Sequence, residues 1–151
     1  MTEIAHILET RKNFIELIDS LTTEQLNKIP DGYWNNIIWN FGHTIVTQQI
    51  LCYKLAGKPL NVSDEMVNKY RKGSKPEGNV SEAEITEFKK MGLELIKQME
   101  SDLKTDSFEN YTPYVTSYHV KINSIEDALK FDSLHEGLHL GYAMAMKKLV
   151  I

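Results

Sequence analysis

The chain has 151 residues, 42% hydrophobic and 25% charged, which is close to the average for a globular protein. This length predicts one domain over residues 1–151, and a single cysteine, Cys52, excludes a disulfide scaffold. Seventeen Lys and Arg residues against twenty-one Asp and Glu residues give a net charge of −4, which argues against nucleic-acid binding. The N-terminus lacks the basic and apolar regions of a signal peptide, and no window holds the roughly 18 apolar residues of a membrane span. We therefore expect a soluble cytoplasmic protein without a nucleic-acid or membrane partner.

Apolar residues recur at helical spacing in the first third of the chain. Over residues 3–21 they form one stripe that includes Ile4, Ile7 and Phe14, and Arg11 is predicted on the opposite, polar side. Thr22 followed by Gln25 predicts a capping box that begins a short helix, which residues 30–32 end. A second long helix is predicted over residues 35–56, with Gly57 and Pro59 as its stop signal.

The rest of the chain predicts two further long helices. Residues 58–80 form a long connection with a helical turn near 64–70, after which Ser81 and Glu84 form a second capping box. Residues 106–123 are predicted to be irregular, and Ser124 caps a last helix that continues nearly to residue 151. Four helices of about 20 residues predict an all-α four-helix bundle. The 58–80 connection, between helices 2 and 3, is long enough to span the bundle and makes a crossover topology plausible.

Two histidines in the last helix have the spacing of metal ligands. His135 and His139 are four residues apart and therefore stack on one helix face, where both can reach one ion. The same stripe is predicted to be the buried face of the helix and includes Ala128, Phe131, Asp132, Leu138, Tyr142 and Met146. The alternative interpretation is a pair of core histidines that are hydrogen-bonded to carbonyls or carboxylates.

Residues 135–139 also match the H-E-x-x-H pattern of zinc proteases, in which the glutamate is the general base. Too few residues follow His139 to supply the downstream ligand, so a third ligand must come from upstream. His43 is the best candidate, since it lies on an inward stripe one turn after Trp39, whereas His6 and His119 are expected at the surface. Three histidines around zinc or nickel leave coordination positions open for water or substrate, which is typical of a catalytic site.

Two segments together carry a resemblance to a known family. Residues 36–43 (NIIWNFGH) and 135–141 (HEGLHLG) resemble the DinB/YfiT-like superfamily of metal-binding four-helix bundles over essentially the whole chain. The resemblance implies that His43, His135 and His139 bind a divalent metal, with nickel or zinc most common. It also implies a metal-dependent transferase that uses a low-molecular-weight thiol such as bacillithiol, mycothiol or glutathione. Homodimers are frequent in the family.

The leading functional hypothesis is a metal-dependent S-transferase acting on a small electrophilic molecule. Glu136 is a weak candidate for proton transfer, since it lies about 100° around the helix from His135. Asn40 and Tyr142 are candidates for lining the substrate cavity, with a hydrogen-bonded amide and a packed aromatic as the alternatives. Cys52 is expected to be a core thiol, so the reacting thiol would be borrowed. The competing hypotheses are a non-catalytic metal-binding stress-response or dimerisation module, a metallohydrolase that uses metal-bound water, and a metal-free dimerisation domain.

Overall fold

The computed structural model describes residues 2–151, so Met1 lies outside the described residues. Within this range the chain is mainly helical, as predicted, and none of its helices is long and apolar enough to cross a membrane. The α-helices are α1 (Thr2–Asp19), α2 (Thr23–Asn27), α3 (Ile37–Cys52), α4 (Asp64–Tyr70), α5 (Glu82–Thr105) and α6 (Ile125–Lys147). The segment predicted to be irregular contains a short antiparallel hairpin of β1 (Tyr114–Val115) and β2 (Lys121–Ile122).

The predicted helix starts are made by the side chains that the sequence indicated. The capping boxes of Thr22 with Gln25 and of Ser81 with Glu84 both form, and the Ser124 hydroxyl accepts a hydrogen bond from the Asp127 amide. These contacts satisfy backbone N–H groups that have no partner within the first turn of a helix. Local sequence therefore sets where α2, α5 and α6 begin.

Two apolar clusters establish the direction of the four long helices. One cluster joins the C-terminal half of α1 to the starts of α3 and α5 and to the end of α6. The other joins the start of α1 to the ends of α3 and α5 and to the start of α6. Hence α1 and α6 run in one direction, and α3 and α5 run in the opposite direction.

The parallel arrangement of α3 and α5 requires the chain to return along the whole bundle between them. Residues 53–81 make this crossover, which includes a 3-10 turn at Lys54–Ala56 and the two turns of α4. In the bundle, α6 packs against α1 and α3, and α5 packs against the same two helices on their other side. The predicted crossover topology is therefore confirmed, and it brings α3 next to α6.

A buried ion pair lies where the two apolar clusters meet. Arg11 has no exposed surface, and its Nε and Nη2 atoms donate hydrogen bonds of 2.7–3.1 Å to the Glu136 carboxylate. Its Nη1 atom donates to the Gly92 carbonyl at 2.7 Å. The prediction that Arg11 lies on the polar side of α1 is wrong, because Arg11 continues the buried stripe between Ile7 and Phe14.

The buried face of α6 also differs from the predicted stripe. Leu138 and Tyr142 are 49% and 40% exposed, so the prediction that they face the core is wrong. The core face instead passes through Leu129, Asp132, Glu136, Ala143 and Met146. Because α6 packs against both α1 and α3, its buried stripe is centred on Glu136, and His135 and His139 lie at the edge of that stripe.

Candidate metal centre

Three of the five histidines converge between α3 and α6. One ring nitrogen each from His43, His135 and His139 lies within 4.8 Å of the others, and the ring centroids are 4.5–5.1 Å apart. His43 is buried, and the other two are partly buried. The structure thus brings together the three predicted ligands, whereas His6 and His119 are exposed.

His43 is held from both sides of its ring. Its Nδ1 atom is 2.7 Å from the Tyr70 carbonyl, and because a carbonyl only accepts, this nitrogen carries the proton. The Trp39 indole stacks on the imidazole with centroids 4.8 Å apart and an interplanar angle of 10°. The lone pair of Nε2 is left available beside the Thr47 hydroxyl, which is 3.4 Å away. Such a contact on the far nitrogen is the usual way in which proteins orient a ligating histidine.

Asn40 gives His139 the same support. Its Nδ2 group donates to the Asn36 carbonyl at 2.8 Å and to the Asn35 side chain at 2.9 Å, which turns Oδ1 toward His139 Nδ1 at 2.7 Å. The proton therefore lies on Nδ1 of His139, and Nε2 is again available as a ligand. Asn40 is fully buried and orients a histidine instead of lining a substrate cavity, which corrects its candidate role.

His135 supplies the test of whether the set fits a metal ion. Its Nδ1 atom is buried and has no hydrogen-bond partner among the described residues. An unpaired buried polar atom is costly, whereas coordination would satisfy a nitrogen of this ring. Together with the two oriented neighbours, this makes a set of three neutral imidazoles, a donor set that suits zinc or nickel.

Burial keeps the histidines uncharged. Together with a smaller effect of the neighbouring imidazoles, burial lowers the pKa of His135 to about 2 and that of His139 to about 4. Burial also lowers the pKa of His43, although the hydrogen bond to Tyr70 opposes this shift. Neutral imidazole is the form that binds a metal, so the site is ready for coordination at neutral pH.

These shifts predict a pH-dependent stability of the metal-free protein. Unfolded histidines bind protons below about pH 6.5. The folded ones resist protonation down to about pH 4 or lower, so the free energy of unfolding should fall as the pH drops below 6.5. Urea unfolding of wild type, His135→Leu and the exposed-site control His6→Leu measures this effect. Of the two variants, only His135→Leu should differ from wild type. The slope of its free energy of unfolding against pH should be smaller by at most about 1.4 kcal/mol per pH unit. Identical pH profiles for the three proteins would contradict the prediction.

The histidines open into a cavity of about 490 Å³. Its apolar wall consists of Ile50, Leu51, Leu55, Phe131 and Leu138. Hydroxyl groups come from Thr47 of α3 and from the hairpin segment, namely Tyr114, Thr116, Ser117 and Tyr118. A mostly apolar pocket with a few converging polar groups is typical of a small-molecule site.

Two other candidate residues lie away from this cavity. Glu136 is 1% exposed, is bound by Arg11 and does not line the cavity, so it is a core residue and not a proton carrier there. Tyr142 packs against Tyr33 with ring centroids 5.6 Å apart and does not line the cavity either. Both candidate roles are therefore corrected, because α6 turns these side chains to other faces.

The only thiol of the chain is a core group, as expected. Cys52 has no exposed surface, and burial raises the pKa of its thiol well above its ordinary value. A protonated, inaccessible thiol is a poor nucleophile. Among the described residues that line the cavity there is neither a cysteine nor a carboxylate.

Several contributors to the site have no signal in the local sequence. The Tyr70 carbonyl is a backbone group at the end of α4, and the hairpin is a segment that shows no periodicity. Arg71 and Lys72 lie in the long connection of residues 58–80, where no motif marks them, yet both line the cavity. Asn40 lies three residues before His43, so its position in the sequence suggests a hydrogen bond to His43. In the structure its amide oxygen instead accepts a hydrogen bond from His139.

Gly42 links the fold to the histidines. A Cβ atom at this position would lie 2.6 Å from the Tyr70 ring, whose backbone carbonyl holds His43. We expect Gly42→Ala to lower the free energy of unfolding by about 1–3 kcal/mol and to weaken metal binding. The control is Gly141→Ala, where nothing lies within 4 Å, and a gain of about 0.5–1 kcal/mol is expected there. Urea unfolding of both variants measures these changes. Equal stabilities of the two variants would contradict the close packing of Gly42 against Tyr70.

The fold and the site define a helical bundle with a three-histidine centre that could hold a metal ion. A sequence profile of the DinB superfamily matches residues 6–143. The chain therefore belongs to the DinB superfamily. In three dimensions it is similar to the crystal structure of a conserved protein from Enterococcus faecalis, with a TM-score of 0.66 and 13% identity, covering 99% of this chain and 95% of that one. Searching curated protein sequences gives no match.

Proposed function

We propose that the protein binds a divalent metal, zinc or nickel, through His43, His135 and His139 and transfers a small thiol to an electrophilic molecule. The observation that carries the proposal is the convergence of three neutral imidazole nitrogens within 4.8 Å at a cavity of about 490 Å³. Two of these rings are already oriented through Nδ1, by Tyr70 and Asn40. When bound, the metal would lower the pKa of a coordinated thiol.

The side chains around the histidines support an external nucleophile. The cavity lining offers no thiol and no carboxylate base among the described residues, and we infer that a second substrate supplies the reacting group. In the transfer, sulfur forms a bond to the electrophilic carbon, the leaving group departs with the bonding electron pair, and the thiol proton passes to solvent. The apolar wall of the cavity would hold the electrophile and exclude water from it.

The proposal is tested with protein loaded with zinc or nickel, using glutathione, cysteine or bacillithiol and the chromogenic acceptor 1-chloro-2,4-dinitrobenzene. We expect thioether formation that requires both metal and thiol and that is lost in His135→Ala. A chromogenic ester that is hydrolysed equally with and without thiol would favour a metallohydrolase. Bound metal that raises the melting temperature without any turnover would favour the non-catalytic module, and either result overturns the transferase.

We also propose a homodimer, formed through the outer face of α6. Leu134, Leu138 and Tyr142 follow one another at four-residue spacing and are 44%, 49% and 40% exposed. Contiguous exposed apolar groups of this kind mark interaction surfaces. Sedimentation velocity should show a dimer for wild type and a monomer for Leu134→Glu, with Lys97→Glu at an exposed position of α5 as the control. A wild-type monomer at micromolar concentration would contradict the proposal.

A further inference from the structure

We propose that the cavity selects a ligand that carries a carboxylate, with Arg71 and Lys72 as the groups that bind it. This inference rests on the proposed function, because it concerns the same cavity. It is carried by the juxtaposition of two cationic side chains, three imidazoles and an apolar wall in one cavity of about 490 Å³. The two cations would bind the carboxylate, and the histidines would hold the metal in the same cavity.

The charge of the cavity is opposite to the charge of the chain. The sequence has twenty-one acidic residues and seventeen basic ones, so a randomly placed cavity would be lined by carboxylates at least as often as by cations. Of the residues that line this one, Arg71 and Lys72 carry formal charges and none is acidic. Such a lining attracts an anion, and it contains no carboxylate that would repel one.

Both cations are free to take a ligand. Six of the seventeen basic side chains make salt bridges, among them Lys69 with Glu65 and Lys89 with Asp19. The side chains of Arg71 and Lys72 make no salt bridge and no hydrogen bond with any residue of the range 2–151. A guanidinium fork can bind both oxygens of a carboxylate, and an ammonium group on the next residue adds a second positive charge.

The position of Arg71 is tied to the histidines by the backbone. It directly follows Tyr70, whose carbonyl is 2.7 Å from His43 Nδ1. Its own amide donates to the Val67 carbonyl at 2.8 Å, and its carbonyl accepts from the Ser74 hydroxyl at 2.7 Å. The turn that carries Arg71 is therefore attached directly to Tyr70, the residue whose carbonyl orients His43.

The other residues that line the cavity indicate the rest of the ligand. Leu51, Leu55 and Phe131 offer an apolar wall, and Thr116 and Ser117 offer hydroxyl groups beside it. A ligand that fills the cavity would have a metal-binding atom at the histidines, an aliphatic or aromatic body and a carboxylate at Arg71 and Lys72. The carboxylate belongs either to the thiol or to the electrophile.

The test uses Co²⁺-loaded protein and two thiols of equal length, 6-mercaptohexanoate and 6-mercaptohexanol, with the sulfur-to-cobalt absorption band as the readout of binding. Wild type should bind the carboxylate about tenfold more tightly, as expected for two exposed ion pairs. Arg71→Gln/Lys72→Gln should lose this preference and retain its affinity for 6-mercaptohexanol. Lys75→Gln, in the same loop but outside the cavity lining, should behave as wild type.

The outcomes separate this inference from the proposed function. Failure of the protein to take up Co²⁺ would overturn the metal site, and isothermal titration of the metal-free protein with hexanoate and hexanol would then test the cations alone. A carboxylate preference that is unchanged in the double variant would overturn the role of Arg71 and Lys72. Hexanoate that binds to protein already saturated with 2-mercaptoethanol would place the carboxylate on the electrophile. If 6-mercaptohexanoate binds but hexanoate does not bind beside 2-mercaptoethanol, the carboxylate belongs to the thiol.

Discussion

Replacing His135 with alanine is expected to lower the affinity for zinc or nickel by more than about 100-fold, because it removes one of three ligands, and losing even a supporting contact costs 10–100-fold. His43→Ala and His139→Ala should have the same effect, since the three nitrogens form one group within 4.8 Å. The measurement is metal content of protein purified without an affinity tag, followed by competition with a chelator of known affinity.

The chain contains its own controls for this experiment. His6 and His119 are exposed and lie outside the group, so His6→Ala and His119→Ala should retain the wild-type metal content. Circular dichroism has to show that the three ligand variants keep their helices, because loss of fold would also release metal. Full metal content in all three folded ligand variants would show that the proposed site is wrong.

Replacing Arg11 with methionine is expected to lower the free energy of unfolding by about 3–5 kcal/mol, the cost of leaving a buried charge without its partner. Arg11 and Glu136 are 0% and 1% exposed, and their closest contact is 2.7 Å. The variant also leaves the Gly92 carbonyl without its donor. Burial and the neighbouring Glu136 raise the pKa of Asp132, whereas Arg11 lowers it, so the guanidinium also favours the charged form of a second buried carboxyl group.

The adjacent residue provides a matched control for Arg11. Lys12 pairs with Glu9 at the surface, with side chains 48% and 62% exposed, and Lys12→Met should change stability by less than about 1 kcal/mol. The double variant Arg11→Met/Glu136→Gln should regain part of the loss, because it removes the orphaned charge. Urea unfolding of the four proteins measures these differences. Equal effects of Arg11→Met and Lys12→Met would contradict a structural role for the buried pair.

The elements that were predicted well are those whose cause lies within a few residues. Capping side chains act over three residues, as Ser81 and Glu84 do, and helical periodicity is visible within one segment. The spacing of His135 and His139 belongs to this group, since one helix alone makes them neighbours. The errors at Leu138, Tyr142 and Arg11 arose because a stripe shows that a helix has a buried face but leaves the centre and the width of that face open.

Local sequence patterns thus encode the helices, their caps, the long crossover and a histidine pair at ligand spacing. Helical periodicity also indicated His43 as the third ligand, and the packing of α3 on α6 brings it to that pair. Two contacts could be seen only in the folded chain, namely that Asn40 supports His139 across 99 residues and that Arg11 meets Glu136 across 125. The tertiary structure also decided that Arg71, Lys72 and the hairpin complete the cavity. The physical reason is that these contacts depend on the register between helices, which the packing of the whole core sets and which no local pattern encodes.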